Sequence, residues 1–287
     1  MAFEITDFFV KQYTHNVELL LQQKQSMFMP YVVNANYQGE SAQVVKQFGD
    51  VEFNEKAQRH ADTAWSDIEH KQRWIFPTDY TLSLPVDKED ELRMLDSPLS
   101  PYAEAMRAAW ARKIDDVIIA AALGTNYTGK NGSTSTAFDT DNKIAVNSTG
   151  LTVDKLRAAR KLLKQNLVDP NEPLYIAVSA QAVDDLLGVQ QVQDINYNSI
   201  KALVQGEVDT FMGFKFIPTE RLTKDSSGDR QIIAWAHSGL AMGTWNGLEG
   251  RVTERADKEY TIQVFMRGTI AATRTQEGKV ISIACSE

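Results

Sequence analysis

The stretch whose spacing comes nearest to a known chemistry is Gly124-Thr125-Asn126-Tyr127-Thr128-Gly129-Lys130-Asn131, close to the pattern of a phosphate-binding loop. Such a loop works because it leaves a buried strand and opens a helix, whose first backbone N–H groups point at the anion. Here it follows a helical pattern and runs into more loop, and Asn131 stands where a Ser or Thr would hold magnesium. A glycine-rich surface loop is the better reading. A phosphate-binding enzyme using Gly124–Lys130 stays as an alternative. His15, His60, His70 and His237 are too scattered to read as a metal site, and the single Cys285 offers no thiolate cluster. Asp139 and Asp141 form a DxD without the further oxygens of a calcium loop. Asp115 and Asp116 are neighbours on a helix and face different ways, so they are expected to meet basic groups on an adjacent element rather than to share a proton. Ser179 and Ser238 lack the setting of an activated nucleophile. No catalytic residue, metal ligand or cofactor is assigned, and the chain reads as a non-enzyme.

Composition narrows the classes further. The chain has 287 residues, 43% hydrophobic and 24% charged, which suits a folded protein with a real core. A net charge of −8 counts against a dedicated nucleic-acid-binding module, although it leaves room for one basic face. One cysteine excludes an intramolecular disulfide and suits a reducing interior. No secretory pattern and no run of about 18 apolar residues is present, so the expectation is a soluble protein made inside a cell.

The elements expected to position these residues centre on one long helix, Ser100 to Leu123. Ser97 or Ser100 can cap it, and Pro98 or Pro101 suits its first turn. Tyr102, Met106, Ala109 or Trp110, Ile114, Val117 or Ile118 and Ala121 place an apolar stripe along it, and Gly124 offers a left-handed terminator. Residues 4–25 predict an amphipathic helix, with Phe9, Tyr13, Val17 and Leu20 or Leu21 on one face, better suited to an arm than to a core. Residues 31–86 read as extended. Val51 and Phe53 alternate on one strand, and Tyr80, Leu82, Leu84 and Val86 alternate on another whose Pro85 suits a sheet edge. Between them a polar segment carries Trp65 and Trp74, in a hairpin-like excursion that needs a partner to cover its aromatics.

After the helix, 124–148 is the most linker-like stretch. A second helix is expected from Asp154 to Leu167, with Val153, Leu156, Ala159 or Arg160, Leu163 and Leu167 inward. A buried strand follows at Leu174–Val178, then a helix at Ala180–Leu187 and helical turns at Asn198–Val204. Strands are expected at Phe211–Ile217, Ile232–Ala236, around Tyr260–Met266, and at Val280–Cys285.

This order of parts resembles the major capsid proteins of tailed double-stranded DNA bacteriophages, the Hong Kong 97-type fold. The most telling block is Ala64-Trp65-Ser66-Asp67-Ile68-Glu69-His70 through Arg73-Trp74-Ile75, Thr78-Asp79-Tyr80, Arg93-Met94-Leu95 and Ser100-Pro101-Tyr102. It continues into Asp115-Asp116-Val117-Ile118 and Ala120-Ala121-Ala122-Leu123-Gly124. Val178 to Leu186, Gly213-Phe214-Lys215-Phe216-Ile217 and Arg267-Gly268 agree less specifically.

The resemblance implies an α+β capsid fold. Its parts would be an N-terminal arm (1–38), an extended loop (39–95), a peripheral domain with the spine helix (96–150), an axial domain (151–250) and returning peripheral strands (251–287). It implies a structural protein that self-assembles as hexamers and pentamers into an icosahedral shell enclosing double-stranded DNA. Phe9, Tyr13, Trp65, Arg73 and Trp74 would serve subunit interfaces. Its partners would be copies of itself, a portal at one vertex, packaged DNA by non-specific contact, a decoration protein, and no membrane. No long charged helical extension precedes the arm, so a separate scaffolding protein or an earlier cleavage is expected. Nothing marks a Lys–Asn cross-link. The protein would assemble in the bacterial host cytoplasm and reside in the virion capsid. An encapsulin-like nanocompartment shell is the alternative within the same fold.

Overall fold

The computed structural model describes residues 22–49, 51–53, 65, 67–86, 99–188 and 210–287. Its centre is a six-stranded sheet made from short apolar runs too rich in Ile, Val and Ala to leave either face in water. In spatial order its strands are β7 (Lys143–Ile144), β14 (Val280–Cys285), β11 (Arg230–Ala236), β8 (Leu174–Val178), β10 (Phe214–Pro218) and β9 (Thr210–Phe211). β11 runs antiparallel to both β14 and β8, while β10 is parallel to β8 and β7 to β14. The helices α2 (Val153–Gln165) and α3 (Ala180–Gly188) share its core through Leu156, Ala159, Leu163, Ala182 and Leu186.

The long helix, α1 (Leu99–Leu123), links this core to a second sheet of order β1 (Val33–Asn36), β12 (Leu240–Arg255), β13 (Thr261–Arg274) and β4 (Thr78–Val86). β4 occupies the edge, where Pro85 can lack its N–H without breaking a ladder. Trp110 of α1 lies over Gly268 of β13, where an added Cβ would come within 2.4 Å of the indole. Only glycine admits that approach. A third sheet joins β2 (Ala42–Phe48) and β3 (His70–Ile75) to β5 (Asn126–Thr128) and β6 (Thr134–Thr136), all antiparallel.

Several expectations change on this frame. The long β12 was not anticipated, and a boundary at residue 250 falls inside it. β14, expected among the returning peripheral strands, belongs to the six-stranded sheet. The linker-like 124–148 holds the local hairpin β5–β6, which joins the third sheet through β3, and β7, which pairs with the distant β14. The strand expected at Val51 and Phe53 is β2 instead, and residues 51–53 carry no ladder. Phe211–Ile217 is two strands split by Met212 and Gly213, at φ +52° and +84°. Residues 22–25 are not helical, and the rest of the helix expected at 4–25, like the turns at 198–204, lies outside the described residues.

The helix ends also differ from expectation. Gly124 is not left-handed; it is needed because a Cβ there would meet Ala120 O at 2.6 Å. α2 stops at Gln165, since Leu167 takes φ +56° and Val168 N–H reaches back to Leu163 O (3.2 Å) while Leu167 N–H reaches Lys164 O (3.1 Å). That double return closes the helix, buries Val168 and turns Leu167 out to solvent.

Candidate assembly surface

The arm and the excursion are fastened to the core by buried polar groups, and the first is Asp115 in the middle of α1. Its carboxylate is fully buried and accepts from Ser26 Oγ (2.5 Å), Met27 N–H (3.0 Å), Phe28 N–H (3.2 Å) and the Gln23 amide. Phe28 then stacks on Trp235 of β11 (centroids 5.5 Å apart), and Trp235 Nε1 donates to Tyr31 O (3.1 Å). Arg112, one turn earlier on α1, donates to Gln22 Oε1 and Gln23 O. Of the two carboxylates expected to meet basic groups, only Asp116 does so among the described residues: Arg221 binds it through Nε (2.7 Å) and Nη2 (2.6 Å). Asp115 serves hydroxyl, backbone and amide donors instead.

A second fastening sits at the base of the excursion. Arg274 of β13 is fully buried, and its Nη1 donates to the last carbonyls of α1, Ala122 O (2.7 Å) and Gly124 O (3.0 Å), where the helix dipole favours a cation. Its Nε meets Glu277 (2.5 Å), and Glu277 also faces Arg73 of β3 at 3.1 Å. Burial pulls the Arg73 guanidinium below its ordinary pKa, against the upward pull of Glu277. Trp74 Nε1 donates to Gly129 O (2.9 Å), and Phe76 meets Tyr127 edge to face (5.2 Å), so β3 leans on the loop that resembled a phosphate site. That loop begins as strand β5 and turns through Gly129 at φ +77° and Asn131 at φ +59°, without the strand-to-helix step that would cradle phosphate.

Beyond these fastenings the described residues of the excursion carry exposed apolar side chains. Trp65 is 97% exposed, and Phe48, Val51 and Phe53 are exposed with it. Val252 and Tyr260, toward the far end of the β12–β13 hairpin, are exposed too. Of the residues singled out for interfaces, Trp65 therefore presents its whole ring, Trp74 is half-buried against the subunit, and Arg73 points inward to Glu277. Phe9 and Tyr13 lie outside the described residues.

Two buried groups escaped the sequence reading. Lys155 Nζ donates to Val146 O (2.8 Å), Thr149 O (2.8 Å), Gly150 O (3.0 Å) and Ala284 O (2.9 Å), tying α2 to β14. Burial lowers its pKa and pushes the neighbouring Cys285 thiol up to about 11. The signal for Lys155 was its spacing, four residues before Ala159 and eight before Leu163 on the inward stripe. Glu287 is the other: burial works against its charge, but Ser179 and Arg230 hydrogen-bond the carboxylate and hold its pKa below the ordinary value. Among the described residues no group of three His, Cys, Asp or Glu is placed to hold a metal, and no helix is long and apolar enough to cross a membrane.

Comparison with known proteins bears on what such a surface is for. The model of a family described as phage capsid protein matches residues 5–287. Comparison with curated protein sequences returns no match. The capsid structure of the cyanophage P-SCSP1u is similar at a TM-score of 0.75 and 16% identity, over 98% of this chain and 94% of that one. The capsid of Ralstonia phage GP4 is similar at 0.75 and 8% identity, over 99% and 97%. The capsid of cyanophage Pam1 follows at 0.73 and 11% identity, over 96% of each. At these identities the structural likeness is one of fold, while the family match spans nearly the whole sequence. The chain belongs to the phage capsid protein family, and its role is that of a structural protein of the virion shell.

Proposed function

We propose that this chain is the major capsid protein of a tailed double-stranded DNA phage, packed as hexamers and pentamers into an icosahedral shell. The exposed aromatic excursion carries the reading. Among the described residues nothing covers Phe53 and Trp65, and burying aromatic side chains against a neighbour is the main gain such a surface offers. Contacts of modest strength suffice when each subunit makes several around a closed ring. In this reading α1 is the spine, the β1-β12-β13-β4 sheet is the peripheral layer, and the six-stranded sheet is the axial domain. Residues 1–38 form the arm and 39–95 the extended loop. Trp65 and Trp74, with Phe9 and Tyr13 on the arm, meet neighbouring subunits. Arg73 acts one step back, by holding β3 to Glu277. A separate scaffolding protein, a portal at one vertex, packaged DNA and a decoration protein complete the partners, and assembly takes place in the bacterial cytoplasm.

Sedimentation and negative-stain microscopy of the full chain, expressed with and without a candidate scaffolding protein, test this. Closed shells, or rings of five and six, support it. A stable monomer under every condition overturns it, and nucleotide binding abolished by Lys130→Ala would then favour the Gly124–Lys130 alternative. Purified shells holding protein cargo and no nucleic acid would move the reading to an encapsulin-like compartment.

A further inference from the structure

The outward face of α2 is unlike the rest of this acidic chain. Arg157, Lys161 and Lys164 are exposed along it, and Arg160 leans beside them with its guanidinium 3.5 Å from where a Cβ on Gly213 would lie. Steps of four and three residues place Arg157, Lys161 and Lys164 on one side of the helix, over about 10 Å of its axis. With Asp154, Ala158, Gln165 and Met212 they line an open cleft of about 680 Å³. Four cations therefore face one carboxylate in a chain whose net charge is −8. Among the described residues the ion pair seen here is Asp154–Arg157 at 3.2 Å, between two largely exposed side chains, a kind of pair that contributes little.

The lining decides the kind of partner. Its apolar side chains are Ala158 and Met212, too little for the core of a protein–protein contact, where lysine is depleted and aromatic residues are enriched. Among the described residues no aromatic ring lines it, so unpaired bases find nothing there to stack on. A row of solvated cations with few apolar groups beside it suits the backbone of a duplex, which carries a phosphate charge about every 1.7 Å of axis. We propose that this face of α2 is the surface the subunit turns to the phosphate backbone of double-stranded DNA. The inference rests on the reading of the chain as a shell around DNA and names the residues that touch the contents. The contact is independent of sequence, weak in one subunit, and summed over the many copies of a shell.

The test uses the full unassembled chain and a fluorescein-labelled duplex of mixed sequence, titrated by anisotropy across a series of salt concentrations. The wild type is expected to lose affinity with salt at a log–log slope of about −3, as for three to four phosphates neutralised. The triple variant Arg157→Glu, Lys161→Glu, Lys164→Glu should bind at least about 10-fold more weakly with a slope near zero, yet sediment as wild-type shells do. The milder pair Lys161→Gln, Lys164→Gln should reduce the slope by about 2. Displacement of the duplex by millimolar inorganic phosphate would overturn the proposal in favour of a site for free anions. Unchanged affinity and slope in the triple variant would overturn it, as would loss of assembly with DNA binding intact, which would make the face a contact between copies. A wild type that forms no shells would remove the shell reading and leave the titration to decide this face by itself.

Discussion

Two regions of this molecule carry similar apolar side chains and treat them in opposite ways. In the six-stranded sheet Ile176, Ile232, Trp235 and Ile281 are fully buried by their own subunit. In the excursion around β2 and β3, Phe48, Phe53 and Trp65 face solvent. The two also differ in what fastens them. The sheet is held by close packing on both faces, whereas the base of the excursion and the segment before β1 add to their apolar contacts a few charges, buried Asp115 and Arg274 and partly buried Glu277, each bonding groups far away in the chain. Packing buries the apolar side chains of the centre within the subunit. Polar fastenings position a periphery whose aromatic side chains stand exposed.

The largest expected effect tests the packed side of this contrast. Trp235→Ala removes a fully buried indole, its stack on Phe28 and its hydrogen bond to Tyr31, and should destabilise the subunit by about 3–5 kcal/mol in chemical unfolding. A loss near that of a surface substitution would mean that the centre is not held by packing. Next comes the fastening. Glu277→Gln leaves buried Arg73 and Arg274 without their partly buried counter-charge and should cost about 3 kcal/mol, with protease cleavage appearing first in the excursion. Cleavage that begins equally in the six-stranded sheet would erase the distinction between the two regions.

A smaller effect concerns the closing strand. Burial raises the Cys285 thiol from 9.0 to about 11, so the thiolate fraction at pH 8 falls on the order of 100-fold below that of a free thiol. Native protein should resist alkylation at pH 8, react faster as the pH climbs toward 11, and react at once when unfolded. Rapid labelling of the native protein at pH 8 would place β14 outside the core.

Elements that bury both faces or repeat with a clear period were legible in the sequence. α1 was expected within a residue of its ends, β8 and β14 at their observed bounds, and β4 at an edge because of Pro85. β12 was not, although it is the longest strand. Its Gly243, Gly247 and Gly250 weaken any local strand pattern, whereas Gly243 is required because Ile75, Tyr37 and Trp245 crowd the space a Cβ would take, the nearest at 2.6 Å. The three-residue strands β5 and β6 have too little local preference to be read without their partners. Of the two tryptophans expected to need cover, Trp65 is exposed and Trp74 is half-buried, while the exposed Phe48 and Phe53 were not singled out. What fastens their base was not, because Arg274 meets carbonyls about 150 positions away, at Ala122 and Gly124, and no local pattern encodes such a pairing. Lys155 alone showed a local sign, a charge set on an apolar stripe.

The most direct measurement compares the two indoles. Trp65→Ala should unfold within about 0.5 kcal/mol of wild type, as expected for a fully exposed side chain, and yet fail to reach closed shells in sedimentation where the wild type succeeds. Shells formed as readily by Trp65→Ala as by the wild type, or a loss of folding stability like that expected of Trp235→Ala, would contradict the division between a self-sufficient centre and a periphery completed by assembly.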